Sequence, residues 1–260
     1  MPISIEGKKI IVTGGGRGIG SDTVRHFAEE GASVVSFDIL DELGRQVAEA
    51  ATAKGPGTVS FRHVDVANEE AVQSQVNAAV AELGGLDAVV NIAGITTAIL
   101  PEDMTAAAWD RLLSINVRGV AHMCQAAFPH LKNRGGSIVN FGSDVALMNT
   151  PPVSTAYGAT KGAVISYTRL LAASWGSYRI RANVLNPLIN TPMNEEFMKS
   201  LDPVQRKAFE EHLRATVPLG GTLGDGPTDL APVVAFLVSD ASKFVTAQII
   251  GVNGGLNSGR

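Results

Sequence analysis

Lys8-Lys9-Ile10-Ile11-Val12-Thr13-Gly14-Gly15-Gly16-Arg17-Gly18-Ile19-Gly20 decides how this chain folds. The apolar run reads as a buried strand, and the glycines behind it as a tight turn into a helix. Glycine lets the backbone approach a pyrophosphate closely and reach positive φ. The helix that follows offers free N–H groups and the positive end of its dipole. Gly14, Gly18 and Gly20 are spaced G-x-x-x-G-x-G. That differs from G-x-G-x-x-G, and no lysine follows as in a P-loop, so an ATPase is disfavoured. A turn without a ligand also uses glycine, but five glycines in seven residues exceed what a turn alone requires.

Outward from this stretch, short apolar runs alternate with longer amphipathic segments. Lys8-Val12, Ser33-Phe37, Val59-Val66, Leu86-Asn91, Ser137-Phe141 and Ile180-Leu185 read as strands. Ser21-Glu30, Glu42-Lys54, Glu69-Leu83, Ala106-Lys132 and Tyr157-Trp175 read as helices, with Gly31, Gly55, Gly84 and Gly135 marking C-terminal ends. Repeated βα units imply an α/β fold, a Rossmann-type doubly wound parallel sheet with helices on both faces. Such sheets bind ligands beyond the strand C-termini. No linker or repeat interrupts the pattern, so residues 1–260 are expected to form a single domain. Segment 188–226 breaks the rhythm with Pro192, Pro203 and Pro218. It is expected to be a small helical substrate lid, with a plain surface helix pair as the alternative.

Composition narrows the class. The chain has 260 residues, 45% apolar and 18% charged, which suits a large globular core. The net charge of −4 supplies no field for nucleic acid or acidic membranes. Cys124 is the only cysteine, which excludes an intrachain disulfide and a cysteine metal cluster; it reads as a core residue. The five histidines are dispersed, and no metal is expected. No apolar run spans a bilayer, and the N-terminus lacks a signal-peptide pattern, so a cytoplasmic location is expected.

Asp38 ends the second strand, near where an acid meets the adenosine ribose. A carboxylate there accepts bonds from both ribose hydroxyls and repels a 2′-phosphate, which favours NAD over NADP. Arg17, able to reach a 2′-phosphate, argues the other way, and Asp38 could also be an ordinary turn acid. Further on, Tyr157 and Lys161 stand four apart and share a helix face. A nearby ammonium is expected to lower the tyrosine pKa from its ordinary value near ~10, poising it to exchange a proton with an alcohol. Such a pair also arises by chance on exposed helices. Ser143, after the fifth strand, could hold a substrate oxygen beside the tyrosine, although loop serines are commonly caps.

With these motifs in place, the chain resembles the short-chain dehydrogenase/reductase family almost end to end. T-G-x-x-x-G-x-G matches Thr13 to Gly20, including Arg17 and Ile19. The adenine-side D-V matches Asp65-Val66. N-N-A-G appears as Asn91-Ile92-Ala93-Gly94. The catalytic asparagine matches Asn116, and Ser143, Tyr157 and Lys161 match the remaining active-site positions. The resemblance implies that Tyr157 is the acid/base and that Ser143 polarises the carbonyl. It also implies that Lys161 binds the nicotinamide ribose and that Asn116 holds a water linking Lys161 to solvent. P-G-x-I-x-T reads Pro187-Leu188-Ile189-Asn190-Thr191, with the glycine deleted and Pro187, Ile189 and Thr191 as cofactor-binding matches. V-D-G-G becomes Val252-Asn253-Gly254-Gly255.

The loop Asp144 to Ala156, one residue longer than in many relatives, is expected to wall the substrate site with Pro151-Pro152. Asp144 either pairs with a polar substrate or faces solvent. Leu147, Met148, Val153, Met193, Phe197 and Met198 are expected to line an apolar pocket, or else to pack a lid onto the body. The leading expectation is an NAD-dependent oxidoreductase acting on a secondary alcohol or ketone. A 3-oxoacyl-thioester reductase, using an acyl carrier protein or CoA, is the alternative. Asp38 argues against it, since biosynthetic reductases commonly use NADP, and only Arg118, Lys132 and Arg134 offer a small basic patch. A silent NAD-binding regulatory or scaffold protein would have no need to keep all four active-site positions. The resemblance also implies a homotetramer or homodimer. Small residues on the long helices, Ala126, Ala127, Ala172 and Ala173, would let subunits pack closely, or else pack within one subunit.

Overall fold

The computed structural model describes residues 3–148 and 155–257. Its strands are β1 (Lys9–Thr13), β2 (Ser33–Asp38), β3 (Thr58–His63), β4 (Ala88–Asn91), β5 (Gly136–Phe141), β6 (Ile180–Pro187) and β7 (Ile249–Val252). They form one sheet in the order β3-β2-β1-β4-β5-β6-β7, with every pairing parallel. Successive side chains of a strand point to opposite faces, so β1 feeds two cores. Ile11 packs on one face, and Ile10 and Val12 on the other. Helices α1 (Gly18–Glu29) and α2 (Asp41–Lys54) cover the second face, joined by α9 (Ala231–Val238). Helices α3 (Glu69–Leu83), α5 (Gly119–Leu131) and α6 (Thr155–Trp175) cover the first. This is the doubly wound arrangement expected. The chain departs in opposite directions from β1 and β4, which opens a crevice at their C-terminal ends.

Several boundaries differ from the sequence reading. The third strand stops at His63, not Val66, because the β2 ladder it pairs with ends at Asp38↔His63. Beyond it, the Asp65 carboxylate accepts from the Ala67 amide and turns the chain. The expected helix 106–132 is divided into α4 (Ala106–Leu113) and α5 by a π turn at Ser114–Arg118. β7 and α9 were not anticipated. Segment 188–226 contains α7 (Pro192–Ser200) and α8 (Pro203–Thr216), the latter closed by a capping box from Asp202 and Gln205. Of the small residues expected at a subunit surface, Ala126, Ala127 and Ala172 are buried within the chain, and only Ala173 is exposed. Among the described residues, no helix is long and apolar enough to cross a membrane.

Candidate active site

The crevice is built around Thr13, the last residue of β1. Its hydroxyl accepts from the amides of Ile92 and Ala93, at 3.1 and 3.2 Å, and so fixes the chain leaving β4. Gly14 follows at φ 74°, and a Cβ there would lie 2.8 Å from the Ala93 amide nitrogen. Both the conformation and the close approach demand glycine. A Cβ on Gly20 would run into the Gly14 carbonyl, so this residue lets α1 pack against the turn. Arg17 is exposed at the N-cap of α1 and provides no side-chain cap, and the first turn carries no acid. The first amides therefore point outward as donors suited to an anion. Ile19 is partly buried against the second core.

Asp38 ends β2 beside this turn. Its carboxylate accepts from the amides of Gly16 at 2.8 Å and Leu40 at 3.0 Å. Asp65 and Val66 follow β3; Asp65 is exposed, and the Val66 carbonyl is 3.0 Å from His122 Nδ1. On the other flank, a Cβ on Gly18 would be 3.7 Å from Pro192 Cδ and 4.0 Å from Thr191 Cβ. Segment 188–226 thus begins against the glycine turn. Thr191 caps α7 by accepting from the Asn194 amide at 3.3 Å. The glycine turn, a crevice open between β1 and β4, and an acid at the end of β2 fit an elongated ligand with phosphates in the middle.

Two expected cofactor contacts are turned elsewhere. Asn91 donates to Asn140 Oδ1 at 2.8 Å and lies in the core beside Cys124, so its side chain holds β4 to β5 and does not face the crevice. Ile189 is buried in the second core, and its carbonyl accepts from Asn194 Nδ2 at 2.9 Å. Pro187 ends β6 next to this segment. Cys124 is a core residue, its thiol pushed up to about 12 by burial.

Near the ends of β4 and β5, four polar side chains converge. The π turn adds a residue to the helical register and sends Asn116 inward, where it is fully buried. Its amide bonds both ways with the Ile95 backbone at 2.8 Å and donates to Thr160 Oγ1 at 3.1 Å. Gly94 lies against both Asn116 Oδ1 and Lys161 Nζ, at 3.2 and 3.5 Å from a Cβ built there. Ala93 packs on the first core just before it. Lys161 is buried on α6 and donates to the Phe141 carbonyl at 2.8 Å. Burial pushes its ammonium down to about 8. Ser143 accepts from the Val145 amide at 3.3 Å, and its hydroxyl lies near enough to the Tyr157 phenol to act on its pKa.

The expected depression of the tyrosine pKa is corrected. Burial of the phenol raises it, with the Ser143 hydrogen bond acting in the opposite direction. Lys161 Nζ stands 5.7 Å from the Tyr157 ring centroid and is directed to the Phe141 carbonyl. Asp144 meets neither expectation: it is buried, and Asn253 and Asn186 donate to it at 2.6 and 3.4 Å. Burial raises its pKa, and these amides oppose the rise. Leu147 is exposed, and Met148 and Met198 are partly so. Pro151, Pro152 and Val153 lie outside the described residues, as do the side chains of Met193 and Phe197. Thr13, Asp144 and Asn253 were named from the sequence, but the bonds of Thr13 to the β4 loop and of Asp144 to Asn253 escaped it, because they join residues far apart in the chain.

A family described as enoyl-(acyl carrier protein) reductase matches residues 14–257. The chain is 38% identical to the 3-oxoacyl-(acyl-carrier-protein) reductase FabG of Thermotoga maritima, covering 97% of this chain and 98% of that one. It is 36% identical to the cyclopentanol dehydrogenase of Comamonas sp., covering 96% and 97%. Among solved structures, a short-chain type dehydrogenase/reductase from Mycobacterium ulcerans superposes with a TM-score of 0.90 at 29% identity, covering 97% of this chain and 90% of that one. Levodione reductase superposes with a TM-score of 0.88 at 32% identity, covering 96% and 98%.

Proposed function

This chain belongs to the short-chain dehydrogenase/reductase family, and from that premise we propose that it is an NAD(H)-dependent oxidoreductase of secondary alcohols and ketones. The observation that carries the proposal is the convergence of Asn116, Ser143, Tyr157 and Lys161 beside the glycine turn. The first-turn amides of α1 hold the pyrophosphate, and Asp38 takes the adenosine ribose. Bound there, a nicotinamide supplies or accepts the hydride. Lys161 binds its ribose hydroxyls, and Ser143 holds the substrate oxygen. Tyr157 moves the proton. A phenol kept in its acid form is suited to donating to a carbonyl oxygen as the ketone is reduced. Asn116 fixes the Gly94-Ile95 loop against Lys161 and Thr160. Segment 188–226 closes over the substrate.

Reduction of a 3-oxoacyl thioester is the second reading, favoured by the 38% identity to a FabG. Asp38 supports the first, since it sets a carboxylate where a 2′-phosphate would stand. We place the protein in the cytoplasm as a homotetramer. The test is a panel of aliphatic, cyclic, polyol and steroid alcohols and 3-oxoacyl thioesters, each with NAD(H) and NADP(H). Fastest turnover of an alcohol with NAD supports the first reading. Fastest turnover of a thioester with NADPH replaces it with the second.

A further inference from the structure

Asp144 follows Ser143 directly, is 7% exposed, and is not one of the four groups to which the proposed function gives a role. Asn253 Nδ2 donates to its Oδ2 at 2.6 Å, and Asn186 Nδ2 to its Oδ1 at 3.4 Å. The Asn253 amide is oriented by its other bonds: Oδ1 accepts from the Gly255 amide at 3.1 Å, and Nδ2 reaches the Asn257 carbonyl at 3.3 Å. Asn186 lies near the end of β6, and Asn253 just follows β7. One acceptor-only group therefore gathers the ends of β5, β6 and β7. A carboxylate suits that place because it accepts several donors at once, and its hydrogen bonds are charge-assisted.

The end of β7 and the loop carrying Asn253 also hold the start of segment 188–226 and the chain just after α8. The Leu188 amide donates to the Val252 carbonyl at 2.9 Å, and the Leu219 amide to the Gly254 carbonyl at 2.8 Å. Val217 is so close to Gly254 that a Cβ there would meet its Cγ1 at 2.6 Å. On the opposite side, the turn Asp144–Ala146 packs onto α6. A Cβ on Gly158, the residue after Tyr157, would lie 3.1 Å from Val145 Cγ1 and 3.2 Å from the Val145 carbonyl. The turn bearing Ser143 is thereby held between the helix of Tyr157 and the base of the helical segment.

We propose that Asp144 is a positioning residue that couples segment 188–226 to Ser143 through Asn253. The effect on rate rests on the hydride-transfer function proposed above; the coupling itself does not. Asn253→Asp replaces the Nδ2 donor with a second carboxylate oxygen, which repels Asp144 where both are ionised and can meet it only through an added proton where they are not. Exchanging the two residues, Asp144→Asn with Asn253→Asp, restores a donor facing an acceptor with the polarity reversed. Recovery is partial, because the Asn257 carbonyl then faces an acceptor.

The experiment compares the full-length wild type, Asn253→Asp and the exchanged pair. Displacing an aligned hydroxyl by a fraction of an ångström costs rate rather than cofactor affinity. Asn253→Asp should lower kcat about 30-fold while its Kd for NAD stays within about 3-fold of wild type. The exchanged pair should recover at least about 5-fold of that loss. A pair as slow as the single variant, or a single variant as fast as wild type, overturns the proposal. Hydrogen exchange at the Leu188 and Leu219 amides reads the coupling without turnover. It should accelerate in Asn253→Asp and return toward wild type in the pair; unchanged exchange overturns the coupling. If the wild type binds NAD but turns over nothing, the hydride-transfer function fails, and the exchange result alone decides the coupling. Should Asn253→Asp fail to fold, Asp144→Asn is read by the same two measurements.

Discussion

Lys161 and Tyr157 share one turn of α6, and burial acts on both in the direction of the neutral form. For Lys161 the sign is explicit. Its pKa falls from 10.5 to about 8 on folding. Below about pH 8 both folded and unfolded chains hold the proton, and the folded one bears the full cost of a buried ammonium. Between pH 8 and 10.5 the unfolded chain binds more protons, so stability rises with pH across that window. The cost is on the order of 3 kcal/mol. Lys161→Met should therefore be at least as stable as wild type at pH 7 in urea unfolding, and should lose that advantage by pH 10.5. A variant less stable at both pH values would contradict the cost. Asp38 is legible from its place after a Val-rich strand, but its bonds to Gly16 and Leu40 are not. Asp38→Ala should raise the NADP-to-NAD ratio of kcat/KM about 10-fold by removing repulsion. Freeing two amides should also cost about 1–2 kcal/mol of stability, read by thermal melting. A ratio that stays put would remove Asp38 as the discriminator. The Lys161 environment and the inward turn of Asn91 needed coordinates, because both depend on partners far along the chain.

Strands and helices were legible where their period was strong. β1, β2, β5 and β6 are short Val- and Ile-rich runs closed by turn residues, and their bounds agree with the sequence to within two residues. α9 was missed for a physical reason: Ala231-Pro232-Val233-Val234-Ala235-Phe236-Leu237-Val238 has no polar face, because it packs on β5 and against the side of α1. β7 was missed because four residues including a glycine carry little strand signal. The π turn is invisible to any apolar period, since one extra residue leaves the pattern on either side intact. It matters because it aims Asn116 at the Ile95 backbone. Asn116→Ala leaves the two partly buried backbone groups of Ile95 without that partner. It should cost about 2–4 kcal/mol in urea unfolding and lower kcat more than the Kd for NAD changes. Unaltered stability would mean that the π turn is held by packing alone.

Across the whole molecule, the βα alternation was enough to give the sheet and the crevice at its switch point. What it left out is how the far end of the chain returns to the site, with Asn253 bonded to Asp144 across 109 residues. Of the two expectations for the small residues, packing within one subunit holds for three of the four. With Ala126, Ala127 and Ala172 inside the subunit, the exposed apolar surface of α6 is Leu170, 66% exposed, with Ala159 and Ala173. Sedimentation should report four times the chain mass, and Leu170→Asp should reduce it; a monomer at micromolar concentration would refute the tetramer. The proposed function turns on Tyr157 as the group that moves the proton. The most direct measurement follows reduced nicotinamide by its near-ultraviolet absorbance for wild type and Tyr157→Phe, with the Kd for NAD measured on both. The prediction is a loss of about 1,000-fold or more in kcat with the Kd within about 3-fold. Turnover in Tyr157→Phe comparable to wild type would contradict it.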